Sequence, residues 1–210
     1  MKIITPIMDV VVLTSSGNNN GELNRLIELF DHGLETLHVR KPKMPKVEVE
    51  EFIVSIPKKY HNRIIIHGHY DLAIKYKLKG VHLHRRHRSN SWRNRWKRFL
   101  LKLKRPGIEI TATFHTIQSL TESKVSFSYV FLGQMFTSSS MFNSSSSSGI
   151  KMLKKVIGDS ASPVYALGGI SNDKLDKIQS AGFHGVGLSS AVFNADSNRY
   201  LDSYFHFAAA

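Results

Sequence analysis

Two stretches in the last third of the chain carry residues suited to holding a phosphate. Val164-Tyr165-Ala166-Leu167-Gly168-Gly169-Ile170-Ser171-Asn172 and Gly185-Val186-Gly187-Leu188-Ser189-Ser190 each read as a short apolar strand ending in small residues before a helix. Gly168 and Gly169 lack a Cβ, so a ligand can approach the backbone there. Ser171 or Asn172 can cap the following helix, whose free N–H groups attract phosphate. A second set is basic. Arg40 and Lys41 close the run Leu37-His38-Val39-Arg40-Lys41 and suit an anion, Arg through its bidentate fork; pairing with a surface acid is the plain alternative. Imidazoles form a third set: His38, His67, His69, His82, His84 and His115. A histidine can move a proton near neutral pH, which makes His115 the candidate general acid/base. Its bland alternative is a strand-end residue bonded to a neighbouring loop.

These groups need a scaffold that brings distant strand ends together. Strand patterns occur at residues 9–15, 36–40, 63–67, 80–84, 108–113, 129–132 and 164–166, with an eighth beginning after Gly182. Helical patterns at 22–30, 47–56, 71–76, 92–103, from 117, 150–157, 172–181 and 196–207 alternate with them. Parallel strands need crossover helices, and eight strand–helix pairs fit an α/β fold, a single-domain (β/α)₈ TIM barrel over residues 1–210. An open flavodoxin-like sheet also alternates, usually with fewer units. If Leu37, Val39, Val81 and Leu83 face the helices, then His38, Arg40, His82 and His84 face the lumen, as do Glu109, Thr111, Thr113 and His115. Imidazoles on adjacent strands are potential transition-metal ligands. No carboxylate falls clearly among them, so they are read as hydrogen-bonded barrel histidines, with no metal assigned.

Composition narrows the possibilities. The 210 residues contain no cysteine, which excludes disulfides and thiolate metal sites. No apolar run is long enough to span a bilayer and no signal-peptide pattern opens the chain, so a cytoplasmic location without membrane partners is expected. The formal net charge of +13 concentrates between Arg85 and Arg105. A solvated helix face is the preferred reading of that segment, ahead of nucleic acid, with Trp96, Phe99, Leu100 and Leu103 taken as the stripe that packs on the core. Residues 138–148 are nearly all serine, too polar for a core.

Several of these pieces together resemble the thiamine phosphate synthase family, which includes the related TenI-like thiazole tautomerases. They are Leu37-His38-Val39-Arg40-Lys41, Asp71-Leu72-Ala73, Gly80-Val81-His82-Leu83, Phe114-His115-Thr116, Gly133-Gln134-Met135-Phe136, Ala166-Leu167-Gly168-Gly169-Ile170 and Ser189-Ser190-Ala191. The resemblance implies thiamine biosynthesis by a transferase that joins hydroxymethylpyrimidine diphosphate to thiazole phosphate and releases diphosphate with the help of Mg²⁺. It places Arg40 against the pyrimidine diphosphate, with His67 among the substrate-binding residues. Gly168, Gly169, Ser189 and Ser190 would hold the thiazole phosphate, and Ser138 and Ser140 would stand where the family has threonine hydroxyls. His115 matches the acid/base of the tautomerases.

This chain departs from the family at the metal. The usual Asn-Asp after strand three reads His67-Gly68, and the acid after strand four is replaced by His84-Arg85-Arg86-His87. Met141 takes the place of the family's lysine, and Arg40-Lys41-Pro42 that of its Arg-Glu-Lys. Hard Mg²⁺ wants oxygen ligands, so no cofactor is assigned. Three readings follow: a synthase in which arginines neutralise the diphosphate, a tautomerase using His115, and a non-catalytic binder of a phosphorylated ligand or nucleic acid. The first is preferred. Its partners are small phosphorylated substrates, and a homo-oligomer is compatible with it.

Overall fold

The computed structural model describes residues 8–17, 21–133, 147–193 and 200–208. Its strands are β1 (Asp9–Leu13), β2 (Leu37–Val39), β3 (Ile64–His67), β4 (Gly80–Leu83), β5 (Glu109–Phe114), β6 (Tyr129–Gly133), β7 (Val164–Leu167) and β8 (Gly185–Leu188). Each pairs in parallel with its sequence neighbour, and β1 also pairs with β8, which closes the barrel. The expected topology is therefore the observed one.

Helices α1 (Glu22–Asp31), α2 (Lys46–Ser55), α3 (Tyr70–Lys75), α4 (Trp92–Lys104), α5 (Ile117–Thr121), α6 (Ser147–Gly158), α7 (Leu175–Ser180), α8 (Ser190–Phe193) and α9 (Tyr200–Ala208) connect and flank the strands. Strand side chains alternate between two apolar layers. Leu37, Val39, Ile64, Ile66, Val81 and Leu83 point outward, into the layer shared with the helices. Val11, Leu13, Ile65, Tyr129, Phe131 and Tyr165 fill the lumen. Gly187 on β8 belongs to this packing, because a Cβ there would sit 2.8 Å from Leu167 and 2.9 Å from Phe131. Phe131 on β6 and Leu167 on β7 thus occupy the space a larger residue at this position of β8 would need.

One helix departs from the sequence reading. On α4 the aromatic stripe faces away from the barrel: Trp92, Trp96, Phe99 and Leu103 are exposed, while Asn94 is buried. Asn94 donates to the Arg86 carbonyl at 3.0 Å and to Ser89 Oγ at 2.8 Å, and Arg98 donates to the Ser89 carbonyl at 3.1 Å. Polar anchoring to the turn after β4 turns the helix, and the pattern alone could not reveal that partner. No described helix is long and apolar enough to cross a membrane.

Candidate active site

The turn after β2 separates residues that the sequence grouped together. Arg40 follows the strand at the barrel mouth, exposed; its amide donates to Thr14 Oγ1 at 2.9 Å and its guanidinium to Ser16 Oγ at 2.8 Å. Lys41, expected beside it as an anion ligand, is buried instead. Its ammonium donates to the Glu22 carboxylate and, at 2.6 Å, to the Gly17 carbonyl. The lysine charge is neutralised inside the protein, where it holds α1 to the β1 and β2 ends. Glu22 could not be picked out from sequence, because a separation of nineteen positions hides the pairing.

Below the mouth the inward imidazoles meet. His38 shares a 2.9 Å hydrogen bond between its Nδ1 and His67 Nε2, and another of 2.5 Å between its Nε2 and the Tyr129 hydroxyl. The tautomer that satisfies both accepts the Tyr129 proton at Nε2 and donates from Nδ1 to His67. His82 bonds Thr111 Oγ1 at 2.8 Å and Thr113 Oγ1 at 3.0 Å, and its ring stacks on His67 with centroids 4.0 Å apart. Ligand atoms of His38, His67 and His82 lie within 4.8 Å of one another. Burial is the main cause that keeps all three neutral; His82 further depresses His38 and His67, while His84 and Arg40 depress His82. His38 and His67 are held well below the ordinary histidine value, and His82 is pushed down to about 3. Hydrogen-bonded barrel histidines were expected here, and that is their bonding. Tyr129 was missed: its apolar strand context gave no sign of a polar role.

At the end of β5, His115 is exposed and its ring lies against Gly133. A Cβ on Gly133 would come within 3.0 Å of His115 Nδ1, so the glycine makes room for the imidazole. Partial burial, then Arg88, Arg85 and Arg40 in that order, lower the His115 pKa from its usual value. Three arginines from two separate loops therefore reach one imidazole electrostatically. Arg88 is fixed by a hydrogen bond to the Thr113 carbonyl and by its guanidinium carbon 4.2 Å above the Phe114 ring. His84 and Gly68 meet above β3 and β4, where a Cβ on Gly68 would lie 3.3 Å from the His84 ring.

The opposite side of the mouth carries the small residues. Gly168 and Gly169 follow β7 with φ of 91° and 69°, a left-handed pair that L side chains adopt only with strain. Lys174 donates to the Gly169 carbonyl at 3.0 Å. Ser171 precedes the short helical turn at Asn172–Lys174, but its hydroxyl donates to Asp173 rather than capping a backbone N–H. After β8, the Ser189 carbonyl accepts from the amides of Val192 and Phe193, and Ser190 opens α8. Ser138, Ser140 and Met141 lie outside the described residues.

The fold is thus a closed parallel α/β barrel whose mouth is basic on one side and lined by glycine and serine on the other. A family model described as thiamine monophosphate synthase matches residues 10–192. The thiamine-phosphate synthase of Serratia proteamaculans (strain 568) is 29% identical over 175 residues, which is 81% of this chain and 79% of that one. That of Proteus mirabilis (strain HI4320) is 29% identical over 178 residues, 82% and 78% of the two chains. Among solved structures, a thiamine phosphate pyrophosphorylase from Bacteroides thetaiotaomicron superposes with a TM-score of 0.70 at 27% identity, covering 96% of this chain and 94% of its own. The chain belongs to the thiamine monophosphate synthase family.

Proposed function

We propose that this protein condenses a hydroxymethylpyrimidine diphosphate with a thiazole phosphate to give thiamine phosphate and diphosphate. The family match over residues 10–192 carries this reading, and the two-sided mouth supports it. In the reaction the bond between the pyrimidine methylene carbon and diphosphate oxygen breaks, and a bond from that carbon to the thiazole nitrogen forms. Negative charge then grows on the departing diphosphate, so the site must supply positive charge where it leaves.

Mg²⁺ does not fit the donors at this mouth. Among the described residues, the ends of β2 to β5 offer His67, His84, His115, Arg40 and Arg85, all nitrogen groups, and it is burial, imidazoles and arginines, not carboxylates, that shift the three histidines. Hard divalent ions select oxygen. In this reading Arg40, Arg85 and Arg88 receive the diphosphate directly, Arg40 with its exposed fork. Gly168, Gly169, Ser189 and Ser190 take the thiazole phosphate through backbone N–H groups and hydroxyls. In this reading His67, neutral in the barrel, would meet the pyrimidine ring. His115 is a neutral imidazole between these groups, able to hold or pass a proton at Nδ1 or Nε2.

The test is thiamine phosphate formation from the two substrates with Mg²⁺ and with EDTA. Turnover that survives EDTA is the expected result. Turnover only with Mg²⁺ would mean that acids outside the described residues supply the metal site. Absence of turnover in both, with thiazole isomerisation present, would replace the condensation by proton transfer at His115.

A further inference from the structure

Helix α4 packs Leu101 on the core but carries a second apolar stripe on the face that a barrel helix turns to solvent. Its sequence, Trp-Arg-Asn-Arg-Trp-Lys-Arg-Phe-Leu-Leu-Lys-Leu-Lys, contains no acid. Trp92 is 77% exposed, Trp96 and Phe99 52% each, and Leu103 64%. The four lie at helical spacing along one face. The rings of Trp92, Trp96 and Phe99 form a continuous ladder, with centroids 6.5 Å apart for Trp92–Trp96 at 11° and 5.4 Å for Trp96–Phe99 at 28°. Arg93, Arg95, Lys97, Lys102 and Lys104 are exposed around this ladder. No ion pair among the described residues involves an α4 side chain. A groove of about 620 Å³ runs beside the helix, with Arg95, Lys102 and Lys124 at its lining and Phe99, Ile108 and Phe127 as its apolar part.

We infer that α4 docks the protein on the surface of an anionic lipid bilayer, lying in the plane of the interface. A helix with aromatic and leucine side chains on one face and dense Lys/Arg beside them partitions at the boundary of headgroups and acyl chains. Indole rings favour that boundary, and long cationic side chains reach from it to lipid phosphates. The groove beside α4 offers the same pairing of cations and apolar surface to an anionic headgroup and the first carbons of its chains. Thirteen residues make a helix about 20 Å long, enough for all four apolar side chains to enter together.

Charge decides against one other occupant and ring stacking against a second. A second copy seated on this face would oppose one acid-free cationic helix to another, on chains that each carry a net charge of +13. Single-stranded nucleic acid would bring suitable charge, but it needs free aromatic faces on which bases stack. Here the faces of Trp96 are turned to Trp92 and Phe99, and Leu103 extends the stripe with a side chain that stacks on nothing.

Both tryptophans of the chain lie on this face, so tryptophan fluorescence, excited selectively over tyrosine, reports on α4 alone. The experiment titrates the full chain with phosphatidylcholine vesicles containing a minority of phosphatidylglycerol, with pure phosphatidylcholine vesicles, and with a single-stranded oligonucleotide. The expected result is a blue shift with the anionic vesicles only, weakened by added salt. The double variant Phe99→Ser/Leu103→Ser keeps both reporters and changes only solvent-facing side chains; its vesicle affinity should fall at least roughly tenfold. Three results would overturn the inference. They are no shift with anionic vesicles, a shift with the oligonucleotide alone, and a blue shift that follows protein concentration without lipid, the sign of a dimer.

Discussion

His38 and His67 share a 2.9 Å hydrogen bond inside the barrel, and both are held neutral by burial and by the rings around them. Together with His82, whose pKa is pushed to about 3, they make the fold sensitive to acid. In the unfolded chain each imidazole takes a proton below about pH 6.5. In the folded barrel it does not, so the unfolded state binds more protons and stability falls as pH drops. The loss begins near the ordinary histidine value and, for His82, continues toward pH 3. Each histidine that stays neutral in the fold contributes on the order of 1 kcal/mol per pH unit. Urea midpoints between pH 7 and pH 5 should fall steeply, and Tyr129→Phe, which removes a bond to the neutral ring, should lower the whole curve. A flat midpoint over that range would show that the three rings are not held neutral.

Lys41 and Glu22 predict a different kind of instability. Both are buried, and each is the other's ionic partner. Removing one leaves a buried charge unpaired, which costs about 3–5 kcal/mol in such pairs. Lys41→Met and Glu22→Leu should each be strongly destabilising by urea denaturation, and the double variant markedly less so than either. If Lys41 instead bound substrate, Lys41→Met would raise KM and leave the midpoint unchanged.

The difference between Arg40 and Lys41 shows where sequence reasoning stops. Alternation placed His38, His82 and Thr111 on the lumen side, because a strand has a two-residue period that survives any tertiary context. It also gave eight strands and their order. Past Val39 the strand ends and the period with it, so nothing local distinguished the exposed Arg40 from the buried Lys41. The outward face of α4 was hidden for a similar reason. Its stripe repeats as a core-facing one would, and only Asn94 and Arg98, bonded to the turn after β4, turn it to solvent.

His115 should give the activity an unusual acidic limb. Partial burial and then the positive field of Arg88, Arg85 and Arg40 lower its pKa, so the neutral ring persists below the ordinary histidine range. If it serves as a base, kcat/KM should hold as pH falls through that range and drop only beyond it. Arg88→Met removes the largest of the arginine contributions and should move the limb upward. His115→Ala should spare substrate binding and abolish turnover; full activity in that variant would end its role.

Gly133 positions that imidazole, and the test is a single carbon. A Cβ at residue 133 would stand 3.0 Å from His115 Nδ1 and 3.3 Å from its Cε1. The ring is exposed and can swing away, so Gly133→Ala should cost little stability, within about 1 kcal/mol. Catalysis should suffer more, because small displacements of a catalytic group lower rate sharply. A tenfold or greater fall in kcat, roughly, with unchanged KM is expected. Equal kcat in Gly133→Ala and the parent would mean that the ring position seen here is not the one used in turnover.

Ser189 tests the other side of the mouth. Its carbonyl is already engaged by the Val192 and Phe193 amides, which leaves the half-buried hydroxyl as the group to meet a ligand. Ser189→Asp would put a carboxylate where the thiazole phosphate is proposed to sit. At an effective dielectric of about 20, two like charges about 4 Å apart repel by roughly 4 kcal/mol. Calorimetric titration with thiazole phosphate should therefore show binding lost in Ser189→Asp and retained in Ser189→Ala with a few-fold weakening. Because Ser189 stands at the strand end and not in the packed lumen, the melting temperature should barely move in either variant. Unchanged affinity in Ser189→Asp would remove the phosphate from the ends of β7 and β8 and leave only the arginine side of the mouth to hold it.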